Sequence, residues 1–445
     1  MVTRTGTSRP LHRIKAFWTT LEAGMHRLIA VGMIEALAIS LFVSLLVPWY
    51  KSLGYDSTTQ GWLRFVLQIT SAVVAAAGGI LADRLGRKNM YTAGQLFRCA
   101  AIVVLLSTRS FTGLIIVSVI RGLSIIQSPP RTAFIAAYTV KENRATTLGI
   151  YQTTSLIANM IAPLAAGFLA DRYGVKPPLF LALALAIAAI FMAVPLGQPD
   201  RDAKGESVFF GSPDCSGATA ASMSPSASET TQTIAVGHLL KKARVFSSES
   251  FISAGRDMFM HSNSRGLIIL LVAWLANGLT NGAINILLPF TVMDKFSSTY
   301  KAVAALDVFS SLGTVLVLLI GGRIADLKGR RRIILTTGFI LPLLMSSILW
   351  IDSLWQLYGL LALSSMAGNI SSPAIMAANI EAVDEKYRAT WDGFTTGMAS
   401  AGMAAGSVLG GVMYKVNSTW AWTAVITLFI LQIACFCHVF EQDTP

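Results

Sequence analysis

Residues Gly78–Lys88 read GGILADRLGRK and lie between two long apolar runs of the chain. A second segment, Gly321–Arg331, reads GGRIADLKGRR and also has an apolar run before it and another after it. Both contain a glycine pair, an aspartate, a further glycine and two adjacent cations, in the same order and 243 residues apart. This spacing predicts a chain of two similar halves, each with the segment at the same place.

The residue types in this segment suit the end of a membrane helix. Glycines let a second backbone approach closely in lipid. Asp83 can accept hydrogen bonds from the free N–H groups at the start of a neighbouring helix, and its charge suits the positive end of that helix. Arg87 and Lys88 then indicate the cytoplasmic side. A tight turn with ordinary flanking cations explains one copy, but two matched copies favour a shared role.

The composition indicates a protein of the lipid bilayer. Of the 445 residues, 53% are hydrophobic and 13% are charged, whereas an average soluble domain carries roughly 25% charge. The net charge is +12, but the cations lie at the ends of apolar runs rather than on one aromatic-rich face, so no nucleic-acid partner is expected. The four cysteines show no framework spacing, and we expect no disulfides.

Twelve apolar runs are long enough to span a bilayer, which takes about 20 residues. Their low charge and helical periodicity favour α-helices over barrel strands. The predicted fold class is therefore an all-α polytopic membrane protein with about 12 transmembrane helices. The runs are 28–49, 60–82, 89–107, 111–129, 147–170, 177–196, 265–290, 302–323, 332–351, 354–379, 390–414 and 419–440.

Lys and Arg are divided unevenly between the two sides of these helices. If the N-terminus is inside, 25 of them lie on the inner side and 8 on the outer side, which places both termini in the cytoplasm. The predicted organisation is a tail at 1–27, a bundle at 28–197, a cytoplasmic loop at 198–263, a second bundle at 264–440 and a tail at 441–445. The loop is rich in Ser, Ala, Thr and Gly and is expected to be mostly disordered.

The two halves repeat beyond the glycine segments. The tripeptide Arg-Ala-Thr opens a predicted helix at 144–146 and another at 388–390, at an offset of 244 residues. Small residues every four positions make a groove in which another helix can sit closely. At the same offset of 244, such residues are Ala158, Ala162 and Ala166 in one half and Gly402, Gly406 and Gly410 in the other.

Both glycine segments resemble the loop signature of the major facilitator superfamily, Gly-x-Leu-Ala-Asp-Arg-x-Gly-Arg-Lys. In that family the signature joins the second and third helices, and a weaker copy joins the eighth and ninth. The first copy matches at nearly every position, whereas Arg323 and Leu327-Lys328 depart from the pattern in the second. The resemblance implies two six-helix bundles with a substrate site between them at the middle of the bilayer.

The resemblance also implies a gate on the cytoplasmic side. By the family pattern, Asp83 would face the start of the eleventh helix near Thr390, and Asp326 the start of the fifth near Thr146. Such contacts would form only in the outward-open state, so losing either should shift the population toward inward-open. The predicted gating residues are Gly79, Asp83, Arg84, Gly86, Arg87, Lys88, Gly322, Asp326, Gly329, Arg330 and Arg331.

No pattern of catalytic residues indicates an enzyme. The five histidines are scattered at helix ends and in loops, so neither a metal site nor a histidine-based triad is expected. The sequence contains no Gly-x-x-x-x-Gly-Lys-Ser/Thr phosphate loop, and no cofactor is expected. Transport would then be driven by a gradient or simply follow one.

Charges inside the predicted helices are the main functional signal, because each costs about 2.5–3.5 kcal/mol to insert. One acid lies in the first helix, arginines lie in the third and fourth, and an aspartate lies in the eighth. These charged residues and one glutamine of the fourth helix belong to the predicted substrate and proton pathway. These residues are Glu35, Arg98, Arg121, Asp307 and Gln127.

Glu35 and Arg121 are the predicted pair, since the first and fourth helices line the N-terminal half of the cavity in this family. Arg121 lies near the family's fourth-helix arginine motif, although Ser124 and Ile125 replace the expected glutamine and glycine. A titrating Glu35 beside an arginine would provide proton coupling; the alternative is a structural ion pair. Arg64, in the outer part of the second helix, is interpreted as snorkelling to the surface.

An amide stripe is the corresponding signal in the second half. Asn277, Asn281 and Asn285 recur every four residues on one face of the seventh helix, and Asn369 lies in the tenth. In lipid such groups must face protein or water. Hydrogen bonding to a substrate and hydrogen bonding between helices both remain open for them.

The direction of transport rests on a partial motif. Antiporters of the superfamily often carry Gly-x-x-x-Gly-Pro-x-x-Gly-Gly in the fifth helix, and this chain keeps Pro163 and Gly167 of it. The Pro-Glu-Ser-Pro-Arg run of sugar porters is replaced by Val194–Gly197. We predict a monomer that exports a small organic solute in exchange for protons, in a plasma membrane rather than an organelle. The alternatives are a proton symporter, a uniporter, or a sensor or receptor that does not transport.

Overall fold

The computed structural model describes residues 23–138, 144–195, 264–296, 299–318, 330–384 and 388–442. All regular structure in these ranges is helical and forms twelve successive rods, which confirms the predicted all-α polytopic fold. The rods are α1 Ala23–Ser52, α2 Ser57–Leu85, α3 Arg87–Ser107, α4 Phe111–Leu123 with the 3-10 turn Ser124–Gln127 and Ser128–Ala137, α5 Arg144–Tyr173, α6 Lys176–Ala193, α7 Ser264–Lys295, α8 Tyr300–Leu318, α9 Arg330–Ser346 with the 3-10 turn Ser347–Trp350, α10 Leu354–Glu381, α11 Arg388–Val416 and α12 Ser418–Gln442.

Eight of these rods are long and apolar enough to cross a membrane, judged by length and composition over the described residues. The other four are α2, α4, α10 and α11. The α4 helix is apolar but is divided into pieces shorter than 18 residues, whereas α2 and α11 carry more small and polar residues, as expected for helices that turn a face toward protein or water. Most of the predicted tails and all of the predicted central loop lie outside the described residues.

The helices extend beyond the apolar runs that predict them. The first is already helical at Ala23, its first described residue and five residues before the run at 28–49, and the fifth is already helical at Arg144, three residues before the run at 147–170. An apolar run measures only the part of a helix inside the hydrocarbon, about 30 Å thick, and a helix continues into the interface. This difference changes the depth assigned to each charged residue.

The fourth rod is broken near its middle, which its single apolar run does not predict. A 3-10 turn at Ser124–Gln127 precedes a second α-helical piece that has Pro129 and Pro130 in its first turn, where a missing N–H is tolerated. Gly94 of α3 packs against this turn, and a Cβ at Gly94 would lie 2.9 Å from the carbonyl oxygen of Ser124. The close approach brings Gln127 next to α3.

The described residues form four apolar clusters, two in each half, and the larger cluster of each half joins most of its helices. One joins α1, α3, α4, α5 and α6 around Leu45 and Leu114, and the other joins α7, α8, α10 and α12 around Leu287 and Leu357. The halves meet mainly where α2 packs on α11 and α5 packs on α8. At the first of these contacts the Ser57 hydroxyl donates to the Gly411 carbonyl at 2.7 Å.

The predicted small-residue grooves are occupied by neighbouring helices. Gly402 and Gly406 of α11 lie against the backbone of α7, where an added Cβ would clash with the carbonyl oxygens of Leu275 and Leu279. Their counterparts in α5 pack against α1 and are almost fully buried. The four-residue spacing therefore marks the tightest helix contact within each half.

Candidate functional site

The Glu35 carboxylate lies in the middle of the first half and is 2% exposed. Its Oε2 accepts hydrogen bonds from the Tyr91 hydroxyl at 3.1 Å and from Nε2 of Gln95 at 2.8 Å. Its Oε1 accepts one from Nε2 of Gln127 at 2.9 Å. Three neutral donors from α3 and α4 thus converge on one acid of α1.

Two arginines complete this network. Nη1 of Arg98 lies 3.0 Å from Oε1 of Glu35, and Nη1 of Arg131 lies 3.6 Å from the same oxygen. Arg98 also donates to Oε1 of Gln95 at 3.1 Å, and Arg131 lies 5.8 Å from the ring centre of Tyr151. The carboxylate is therefore shared between two cations, which offsets the cost of burying it.

The predicted partner of Glu35 is wrong. Arg121 does not pair with Glu35, and its guanidinium instead lies 5.3 Å from the ring centre of Phe42. Arg121 is six residues from Gln127 toward the start of α4, which is about 9 Å along the helix. That distance removes Arg121 from the layer in which Glu35 and Arg98 lie.

Tyr91, Gln95, Arg131 and Tyr151 are site residues that the sequence interpretation missed. A signal for the first two exists, because residues 91, 95 and 98 follow the i, i+4, i+7 spacing of a single helix face. Tyr151 comes from α5, and a Cβ at Gly32 would overlap its ring. Gly32 lies one turn before Glu35 and makes room for that ring.

We call the end of the bundle opposite Ala23 and Gln442 the outer end. A second group of charged and polar residues lies nearer this outer end. It consists of Tyr50 on α1, Arg64 on α2, Arg121 on α4 and Asp307 on α8. Arg64 is within electrostatic range of the other three. Since Asp307 belongs to the other half, Arg64 faces the contact between the halves and is not a snorkelling residue, as its sequence position had suggested.

The amides of the second half have different surroundings. Nδ2 of Asn281 donates to the backbone oxygen of Asn277 at 2.8 Å, and Asn281 and Asn285 are exposed. Asn277 lines a cavity of about 220 Å³ between α7, α10 and α12. Asn369 donates to Oγ1 of Thr314 at 3.0 Å and so joins α10 to α8. A helix-to-helix role is favoured for Asn369 alone.

The first signature loop is a one-residue turn. Helix α2 ends at Leu85, α3 begins at Arg87, and Gly86 between them has φ of 89°, a conformation that favours glycine. Lys88 is partly buried in the first turn of α3, as is Arg87. The side chains of Asp83 and Arg84, and the position of Gly79 relative to its neighbours, lie outside the described residues.

The second signature loop lies at the edge of the described structure. Arg330 and Arg331 begin α9, but their side chains are outside the described part, as are Gly322, Asp326 and Gly329. The side chains of the predicted gating partners Thr146 and Thr390 are also not described. The predicted cytoplasmic gate therefore stays a prediction.

The outer ends of the two halves are joined by ion pairs. Lys51 at the end of α1 pairs with Asp294 near the end of α7, and the Tyr414 hydroxyl donates to the same aspartate at 3.1 Å. Lys415 at the end of α11 lies 2.7 Å from Asp56, which caps α2. These contacts connect α1 to α7 and α2 to α11.

A helix cap forms a third contact between the two halves at the outer end, between α5 and α8. The Asp171 carboxylate, near the end of α5, accepts hydrogen bonds from the backbone N–H groups of Tyr300 at 2.9 Å and Lys301 at 3.1 Å. These N–H groups belong to the first turn of α8, which has no intrahelical partners for them. With the two ion pairs, the cap joins the two halves at the outer end.

Comparison with known proteins identifies the family of this architecture. The family model of the Major Facilitator Superfamily matches residues 28–276 and 270–445. Multidrug resistance protein 1 of Bacillus subtilis is 28% identical over 176 residues, which are 39% of this chain and 45% of that protein. Multidrug resistance protein MdtG of Escherichia coli is 28% identical over 162 residues, 35% of this chain and 40% of MdtG. The chain thus spans less than half the length of these curated relatives.

Solved structures show the same fold over nearly the whole chain. The nucleoside transporter NupG superposes with a TM-score of 0.67 at 14% identity and covers 94% of this chain and 100% of its own. The peptide transporter POT superposes with a TM-score of 0.69 at 16% identity and covers 94% of this chain and 95% of its own. From the family match across both halves, the chain belongs to the Major Facilitator Superfamily.

Proposed function

We propose that this protein exports a small organic solute in exchange for protons, by alternating access between the two halves. Glu35 is the group that carries the proton. The observation that supports this role is its position: a single acid, buried in the first half, contacted by two arginines and three neutral donors. Such groups inside membrane helices commonly mark ion and substrate pathways.

The chemistry of the network favours a switch over a purely structural pair. Protonation of Glu35 removes the charge that Arg98 and Arg131 share, and leaves two guanidinium groups close together without a counter-charge. That arrangement is unfavourable in a low-dielectric interior. Helices α1, α3 and α4 must then move relative to one another, or a new negative charge must enter.

Export is favoured over uptake by two observations. The relatives that match by sequence are named for multidrug resistance. Pro163 lies inside α5, which packs on α8 at the contact between the halves. Pro163 occupies the position of the proline in the antiporter motif of the fifth helix.

The test is proton flux in proteoliposomes that contain a pH-sensitive dye. Pooled small organic compounds are added outside, and the parent is compared with Glu35→Gln, which keeps the shape of the side chain and removes its charge. Asp352→Asn is the matched control, because Asp352 is exposed and, among the described residues, forms an ion pair with Lys295 alone, at 3.5 Å in the outer part of the second half. A compound that alkalinises the interior with the parent and the control, but not with Glu35→Gln, supports antiport.

The other outcomes separate the alternatives. Acidification of the vesicle interior on adding a compound indicates symport, since solute and proton then enter together. Solute uptake without a pH change indicates a uniporter, and binding without uptake indicates a sensor. Either of the last two results removes the coupling role from Glu35.

A further inference from the structure

Two arginines near the outer end form no close ion pair among the described residues, although Asp307 is within electrostatic range of Arg64. Arg64 and Arg121 make no ion pair and donate no hydrogen bond to any described residue. Both side chains are partly buried. Arg98, in contrast, is engaged by both Glu35 and Gln95. The five N–H donors of each of the guanidinium groups of Arg64 and Arg121 therefore have no hydrogen-bond acceptor among the described residues and can serve a bound group.

A buried hydroxyl without a hydrogen-bond partner among the described residues is within electrostatic range of these arginines. Tyr50 is 5% exposed, and its hydroxyl makes no hydrogen bond although it is sealed from solvent. It is within electrostatic range of both Arg64 and Arg121. A buried polar group is normally hydrogen-bonded, so an orphaned one needs an explanation. Here the tyrosine O–H can donate to an anion that the arginines attract.

The position of this group fits a solute that passes between the halves. Arg64 is in the third turn of α2, and Asp307 is in the third turn of α8, so the two half-proteins meet at this depth. The ion pair between Lys51 and Asp294 closes the outer end beyond them. Phe42 lies under the Arg121 guanidinium and offers an apolar surface to the body of a ligand.

The local charge is positive. Among the described residues, Arg64 and Arg121 outnumber Asp307, and deeper in the first half Arg98 and Arg131 outnumber Glu35. An organic cation entering this region would meet a net repulsion, whereas an anion would offset the unpaired arginines. Arginine is also the residue best shaped to hold a carboxylate or phosphate through two parallel hydrogen bonds.

We propose that Arg64, Arg121 and Tyr50 form a binding site for an organic anion, a carboxylate or similar acidic group attached to an apolar body. This rests on the proposed function, because it names the class of solute that the transporter carries. Arg64 and Arg121 bind the acidic group, Tyr50 donates a hydrogen bond to it, and Phe42 contacts the apolar part.

The test uses three probes that share one ring system and differ in charge: naphthoate, naphthylmethanol and naphthylmethylammonium. The midpoint of thermal unfolding is measured for the purified full-length protein in detergent as each probe is titrated, since a ligand of the native state raises it. We expect naphthoate to bind at least about tenfold more tightly than the other two, as a charge-assisted contact contributes that much. This comparison needs no variant.

Variants then locate the site. Arg64→Gln and Arg121→Gln should each weaken naphthoate binding by about tenfold or more, and Tyr50→Phe by a few-fold. Arg64→Lys and Arg121→Lys keep the charge and should recover part of the loss. Arg109→Gln is the matched control: this arginine lies between α3 and α4 at the outer end and is not among the groups within electrostatic range of Tyr50 or Arg64, so its removal should leave naphthoate binding unchanged.

Several results would overturn the site: no response to naphthoate, equal responses to all three probes, a preference for the ammonium probe, or binding that survives both glutamine substitutions. The binding assay needs no proton flux, so the two proposals can fail separately. Naphthoate binding without coupled flux removes the antiport proposal alone. Coupled flux with neutral or cationic compounds, without naphthoate binding, removes the anion site alone.

Discussion

Glu35 of α1 and Arg98 of α3 form a buried ion pair, with Oε1 of the acid 3.0 Å from Nη1 of the arginine. Their side chains are 2% and 8% exposed, so water does little to screen the interaction. Arg131 approaches the same oxygen at 3.6 Å from α4. The pair thus joins the three helices from which the proposed proton site is built.

Removing Arg98 should destabilise the protein more than removing Arg121. Arg98→Gln leaves a buried carboxylate with one cation fewer, and we expect a loss of about 3 kcal/mol in the free energy of unfolding. Arg121→Gln breaks no ion pair among the described residues and should cost less. The double variant Glu35→Gln/Arg98→Gln should regain most of the loss. Denaturant unfolding in mixed micelles measures all four proteins, and equal losses for the two single arginine variants would refute the pairing.

The partner of Glu35 was predictable, had the ends of the helices been known. Glu35 lies twelve residues beyond Ala23, the first described residue of α1, and Arg98 lies eleven residues beyond the start of α3, so both lie well inside their helices. The apolar run at 28–49 starts five residues late and places Glu35 too near the start of its helix. The depth of each residue along its helix indicates the Glu35–Arg98 ion pair, whereas the fourth-helix arginine motif of the family pointed to Arg121.

Other parts of the site could not be predicted from the sequence. The twelve helices follow from apolar runs, because the bilayer requires a fixed length of apolar helix. The rotation of each helix about its axis depends on contacts such as Gly94 against the turn at Ser124–Gln127, which no single run reveals. That turn decides that Gln127 faces Glu35 while Arg121 faces Phe42.

Reversing one charge at the outer end should open it. Lys51→Asp places a second carboxylate next to Asp294, and the two negative charges repel each other. The native cysteines are replaced, and spin labels are attached at the exposed positions Ser52 and Ser418. The distance between these labels, one on each half, should increase. Exposed ion pairs contribute only about 0–1 kcal/mol, so we expect a shift in population of about fivefold. The double reversal Lys51→Asp/Asp294→Lys should restore the parent distance; a double variant that stays open would rule out the pair as a lock.

The second outer ion pair should be insensitive to pH in the physiological range. Lys415 and Thr59 stabilise the Asp56 carboxylate and lower its pKa from 3.8 to about 2. A lowered pKa means that the stabilisation is complete above about pH 4 and is lost as the pH falls toward 2. Titration of Asp56 should therefore not change the distance between labels at Ser52 and Ser418 between about pH 8 and pH 5. A change in that range that Asp56→Asn abolishes would contradict this assignment.

The tight contact between α7 and α11 gives a prediction with its control on the same helix. A Cβ at Gly406 would clash with the Leu279 carbonyl oxygen of α7, whereas a Cβ at Gly397 meets nothing within 4 Å among the described atoms. Gly406→Ala should destabilise the protein by about 2 kcal/mol, because backbone cannot move aside as a flexible side chain can. Gly397→Ala should be neutral or stabilising by up to about 1 kcal/mol through helix propensity.

The midpoint of thermal unfolding distinguishes the two alanine variants, and solute transport adds a second measurement. If α7 and α11 move as one body during alternating access, Gly406→Ala should lower stability and leave the proton-to-solute ratio of the remaining transport unchanged. If the two helices slide past each other, the ratio or the rate should fall by more than the loss of folded protein explains. Equal midpoints for Gly406→Ala and Gly397→Ala would mean that the backbone contact at Leu279 is looser than the structure has it.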